Sequence, residues 1–103
     1  LTAIPEHSDL IDFTDITDGQ LGESVNTQGV LASIRPTLTQ KQKQMAFASL
    51  YDNQGNMLPL VFFPETYTRL LDKLIEGNLV IVSGKVDRWR DKLQLVVSGI
   101  LKE

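Results

Sequence analysis

Apolar residues recur along this chain in five stretches of seven to ten residues, and at helical spacing in a sixth. Val25–Ile34 predicts a first strand, with Gly29 in its interior marking a bulge or a sharp bend. Pro36 is expected to end regular pairing, because proline has no N–H to give the ladder. After a polar arm, Thr37–Gln44, the run Met45–Tyr51 predicts a second strand, and the turn cluster Asp52–Asn56 folds it back onto a third, Met57–Phe63. Pro64 suits the first turn of a helix and Glu65 complements its positive N-terminus. Tyr67, Leu70, Leu71, Leu74 and Ile75 then fall at i, i+3, i+4, i+7 and i+8, an apolar face expected to lie on the core, and Gly77 closes the helix. Leu79–Arg88 and Leu93–Ile100 are the fourth and fifth strands, joined by the charged turn Trp89–Lys92. Residues 1–23 have few apolar anchors and read as an acidic, irregular lead-in with a short helical turn, and residues 24–103 as the domain proper.

Strand, strand, strand, helix, strand, strand is the order of the OB-fold, an all-β, five-stranded Greek-key barrel with one helix between strands 3 and 4. Such barrels bind single-stranded nucleic acid across strands two and three, between the loops that join strands one to two and four to five. At 103 residues and 42% hydrophobic content the chain fits one such domain and is too short for two. Because it begins at Leu1 without a methionine, it is expected to be a fragment of a longer protein. Its N-terminal residues lack a basic region followed by an apolar run, and no window approaches the roughly 20 apolar residues that span a bilayer, so no membrane partner is expected.

A net charge of −3 argues at first against a polyanionic partner, but the charge is segregated. Residues 1–34 carry six acids and no base, while residues 35–103 carry ten bases against seven acids. The bases cluster as Arg35, Lys41 and Lys43, and as Lys85, Arg88, Arg90 and Lys92, which the strand order assigns to the two loops flanking an OB groove. Alternation in the second strand turns Ala46, Ala48 and Leu50 inward and leaves Phe47 and Tyr51 outward as platforms for bases. Trp89, between two arginines in the last turn, is a third platform. Phe62 and Phe63 sit in an apolar run and are expected in the core, and Gly29 and Gly84 are read as devices for barrel curvature.

Catalysis finds little support. There is no cysteine, no glycine-rich phosphate loop and no Ser/His/Asp set, and the single histidine, His7, has no partners nearby to hold a metal. Asp9, Asp12, Asp15 and Asp18 recur every three residues, a pattern read as a solvated face rather than a Mg²⁺ site. No cofactor and no catalytic residue are expected.

Four stretches carry a closer resemblance: Gly29–Arg35, Met45–Asp52, Phe63–Tyr67 and Gly77–Val86. In order and spacing they resemble the OB domain near the C-terminal end of the bacterial replicative DNA polymerase III alpha subunit, from about Val25 to Ile100. The chain departs from that family's pattern in having no glycine in the arm before Met45, and in placing Tyr51 where a charged residue is commoner. The resemblance implies a cytoplasmic, DNA-directed DNA polymerase as parent, with its catalytic carboxylates elsewhere and this domain engaging single-stranded template beside other domains or subunits. Its nucleic-acid-binding residues would be Arg35, Lys41, Lys43, Phe47, Tyr51, Lys85, Arg88, Trp89, Arg90 and Lys92. Two other readings fit the same barrel: a protein-interaction or architectural domain, favoured by the acidic lead-in, and a tRNA anticodon-binding domain.

Overall fold

A computed structural model of the chain describes residues 10–102, so Glu6, His7 and Asp9 lie outside the described residues. Strands β1 (Ser24–Leu38), β2 (Gln44–Tyr51), β3 (Met57–Phe62), β4 (Leu79–Trp89) and β5 (Lys92–Lys102) close into a barrel in the order β1-β2-β3-β5-β4. Helix α1 (Pro64–Leu70) lies between β3 and β4 in the chain, as the strand order predicts. All pairings are antiparallel except β3 with β5.

The first strand serves two neighbours. Its residues Ser24–Val30 pair with β4 and Val30–Leu38 pair with β2, so it changes partner at Val30. Gly29 sits at that crossing, where a Cβ would come within 2.6 Å of the Tyr51 carbonyl oxygen and 2.8 Å of Leu50 Cγ. The bulge itself is four residues further on. Ala32 pairs with Ser49 and Arg35 with Phe47, so β1 carries one extra residue there, and Ser33 takes φ 55°. Pro36 does not end the strand, contrary to expectation: it pairs with Ala46, and the ladder runs on to Leu38. Beyond Val30 the pairing with β4 has ended, so Pro36 occupies an edge, where a missing N–H is tolerated.

The core is built from the inward positions that alternation selects, with Leu31, Leu50, Leu60, Phe62, Val82 and Leu95 among its fully buried members. Tyr67 and Leu70 add the face of α1, and Phe13 and Ile16 add apolar weight from the lead-in. The lead-in from Leu10 onward is tied to β1, with the Ile11 N–H donating to the Asn26 carbonyl at 3.0 Å and the Thr27 hydroxyl to the Ile11 carbonyl at 2.7 Å.

Two expectations about the core fail. Phe63 is half exposed, because it is the cap residue from which α1 departs, with φ −67° and ψ 163°. The helix is also shorter than its periodicity: α1 ends at Leu70, Leu71–Lys73 form a 3-10 turn, and Leu71 and Ile75 face solvent. Competition from β1 explains the early stop. The Gly77 N–H donates to the Leu31 carbonyl at 2.7 Å, the Leu31 N–H donates to the Asn78 carbonyl at 2.9 Å, and the Glu76 carboxylate accepts from the Ile34 N–H at 2.8 Å. These bonds satisfy the backbone beside the bulge and draw residues 76–78 off the helical path.

Asp52 organises the β2–β3 turn. Its carboxylate accepts from the N–H groups of Gln54 and Asn56 and from the Asn56 amide, each at 2.9 Å. The Asn56 side chain first, and the backbone donors of Asn56 and Gln54 with it, hold this carboxyl below its ordinary value of 3.8.

Adding a methyl at Gly84 would drive a Cβ to 2.4 Å from the Val96 carbonyl oxygen, whereas at Gly99 nothing lies within 4 Å. Gly84→Ala is therefore expected to cost about 3 kcal/mol in urea unfolding, while Gly99→Ala leaves the midpoint within error. A carboxyl with a lowered folded-state pKa contributes stability above its unfolded value and loses it as pH falls through the folded value. The deficit in urea midpoint of Asp52→Ala is accordingly full at neutral pH and shrinks as the pH is taken below about 3.8; a deficit independent of pH would show that the turn holds without the charge.

Candidate nucleic-acid interface

The bulge at Ser33 decides what one wall presents. A strand alternates its side chains, so inserting one residue moves everything after it to the opposite face. Arg35 thereby comes to lie across from Phe47, on the outward side of β2. On β2, Ala46, Ala48 and Leu50 are buried inward, while Phe47 is half-buried on the outward face and Tyr51 is 38% exposed. The arm beyond is a tight loop: the Lys43 N–H donates to the Thr39 hydroxyl at 3.1 Å and the Thr39 N–H to the Lys43 carbonyl at 2.8 Å. Gln42 takes φ 63°, so it fills the left-handed position that glycine would usually hold.

The opposite wall is the β4–β5 hairpin. Trp89 pairs with Lys92, so the connection has two residues, Arg90 and Asp91, at φ 53° and 64°. Positive φ at both positions is the type I′ turn, whose twist matches that of the strands. This turn keeps Trp89 in the ladder and 53% exposed, with the Arg90 guanidinium carbon 4.4 Å from its ring centroid. A cation over an indole face at that distance is attracted by the ring quadrupole.

Between the walls runs a groove of about 350 Å³. It gathers Arg35, Phe47, Trp89, Arg90 and Lys92 of the residues expected from the sequence, and adds Ser49, Met57, Pro59 and Gln94, which that reading missed. Register could have found them: Ser49 faces Pro59 and Tyr51 faces Met57 across β2–β3, and a two-residue turn sets Gln94 opposite Asp87. The other expected residues lie elsewhere. Lys41 is exposed at the tip of the arm, and Lys43 faces the start of α1 with Pro64, Glu65 and Arg69. Tyr51 borders a separate hollow of about 460 Å³ with Leu10, Ile11, Val30 and Leu79. Lys85 and Arg88 share a third hollow with Leu21 and Gly22. Arg35, Lys85 and Arg88 belong to strands, not to loops. The Arg88 guanidinium is ion-paired with Asp18 of the lead-in, which raises its pKa further and sets its positive charge against a carboxylate.

A barrel with this strand order, carrying an aromatic and cationic groove between β2–β3 and the β4–β5 hairpin, matches a known family pattern. That family, the OB-fold nucleic acid binding domain, matches residues 25–102. The chain belongs to it. This OB domain is related to DNA polymerase III subunit alpha, being 32% identical over 100 residues to that of Borreliella burgdorferi and 36% identical over 69 residues to that of Bacillus subtilis. These alignments cover 96% and 67% of the chain but only 8% and 6% of the relatives' length. Among solved structures, a mitochondrial single-stranded DNA binding protein from S. cerevisiae superposes with a TM-score of 0.62 at 19% identity, covering 80% of this OB domain and 98% of that chain. Among the described residues no helix is long and apolar enough to cross a membrane.

Arginine and aspartate hold the left-handed turn at a conformational cost that asparagine and glycine would not incur. Replacing Arg90–Asp91 by Asn–Gly is expected to raise unfolding stability by about 1 kcal/mol, read from urea melts. An unchanged or lowered midpoint would mean that the contact of Arg90 with Trp89 outweighs the strain.

Proposed function

We propose that this OB domain binds single-stranded DNA in the groove between β2–β3 and the β4–β5 hairpin, as the part of a bacterial polymerase III alpha subunit that holds the template strand. The parent would be a cytoplasmic DNA-directed DNA polymerase, and the fragment itself, a domain over residues 24–103 with its acidic lead-in, would contribute no catalysis. One observation carries this reading: Trp89, the only tryptophan, stands 53% exposed over a groove that also contains Phe47 and three cations. An exposed indole offers a π-face to a base, and stacking a base on an aromatic contributes about 1–3 kcal/mol whatever the base. Phe47 and Trp89 would stack bases, and Arg35, Arg90 and Lys92 would track phosphates. Lys41, Lys43, Tyr51 and Lys85 would meet a strand that extends past the groove, and Arg88 would join them only when released from Asp18.

The Asp18–Arg88 pair also favours the architectural reading, in which the acidic lead-in covers basic surface and the same face meets another domain or subunit. Titration with oligo-dT followed by tryptophan fluorescence separates the two. We expect binding whose affinity falls with salt at a log–log slope of about −0.7 per phosphate contacted, and a loss of about tenfold or more on Trp89→Ala read by anisotropy of a labelled oligonucleotide. Absence of binding at low salt would sink the proposal in favour of the architectural one. Tighter binding of a structured RNA loop than of oligo-dT would favour anticodon recognition.

A further inference from the structure

Within the groove, one neutral side chain is fixed in a single orientation. Gln94 faces Asp87 across the β4–β5 ladder, and its Nε2 donates to Asp87 Oδ2 at 3.0 Å. A carboxylate can accept hydrogen bonds but not donate them, so the amide cannot turn round without losing this bond. Among the described residues the Gln94 side chain makes no other hydrogen bond. The end left for a ligand in the groove is therefore Oε1, an acceptor.

A free glutamine amide reads bases both ways, donating or accepting as the base requires. One held by a carboxylate reads one way. We propose that Gln94, oriented by Asp87, is a specificity-determining residue that favours bases with an exocyclic amino group over thymine at the position beside Trp89. Cytosine and adenine present an N–H₂ donor where thymine presents the O4 acceptor. Against Oε1 the amino group of cytosine or adenine forms an open hydrogen bond, whereas the one donor of unpaired thymine, N3–H, is flanked by the O4 and O2 acceptors that oppose Oε1, so one contact favours the first and weakens the second. The Asp87 carboxylate behind Gln94 also repels phosphate, which leaves the cations Arg35, Arg90 and Lys92 to hold the backbone and turns bases toward Gln94. The inference rests on the single-stranded binding proposed above.

Cytosine and thymine are both pyrimidines, so oligo-dC and oligo-dT of equal length compare this contact with little difference in stacking. At one fixed low salt concentration, wild-type chain titrated by tryptophan fluorescence should bind oligo-dC about threefold to tenfold more tightly than oligo-dT. In Gln94→Ala the ratio should fall to near one. Asp87→Asn should lower the ratio as well while keeping Gln94, because an asparagine partner can accept or donate and lets the amide flip; this reports a positioning role that loss of packing would not mimic. Equal or tighter binding of oligo-dT by wild type, or a ratio that survives Gln94→Ala, would overturn the inference and leave single-stranded binding standing. If neither oligonucleotide binds, the binding proposal fails, and the base preference fails with it.

Discussion

Strand β1 gives hydrogen bonds to β4 with its first half and to β2 with its second, and Val30 is partnered on both sides. A single strand can serve two sheets only if it bends sharply where it changes partner. Here the bend needs two local permissions. At Gly29 the backbone passes so near the Tyr51 carbonyl that no side chain fits, and at Ser33 one additional residue kinks the strand. Closure of the ring, enclosure of the core and placement of Arg35 opposite Phe47 all follow from this path. The segment Glu76–Asn78 depends on it too, since the polar backbone exposed by the kink is satisfied there rather than by water.

How much of this was legible in the sequence depended on whether the deciding force was local. Strand order, the two hairpins and the inward set Ala46, Ala48 and Leu50 could be read, because alternation and turn chemistry act over a few residues. The end of α1 could not. Leu71 and Ile75 keep perfect helical spacing, yet the chain leaves the helix for hydrogen bonds to Leu31, some forty positions earlier, and no local pattern records that competition. Pro36 misled for a similar reason: the rule that proline stops a strand applies where both sides are paired, and the sequence does not reveal that β1 has lost one neighbour by then. Five of the ten residues expected at the site meet in one groove. The rest scatter by position along the elements: Lys41 and Lys43 stand out on the arm, Tyr51 lies at the far end of β2, and Lys85 and Arg88 sit further down β4 beside the lead-in.

The acidic balance of the chain also becomes intelligible. Asp18 is ion-paired with Arg88, so one acid of the lead-in is set against a cation of β4, while Asp87 keeps its charge but uses it to orient the Gln94 amide. The cations left on the groove are Arg35, Arg90 and Lys92, and Arg90 is steadied by the indole beneath it. Net charge therefore says little about the field at this surface. What counts is which cations lack a carboxylate partner, and that is a property of the folded arrangement.

The pairing of β3 with β5 is parallel and only two rungs long, Leu60 with Leu95 and Val61 with Val96. It is the shortest ladder in the ring, and it runs beneath the groove, whose lining takes Pro59 and Leu60 from one side and Gln94 from the other. Apolar packing holds this seam where hydrogen bonds are few, since Leu60, Val61 and Leu95 are all essentially buried. Packing is non-directional, so it resists separation of the strands more than it resists sliding or small changes of angle. The floor of the groove is thus the one seam of the ring whose closure rests on buried side chains more than on backbone hydrogen bonds.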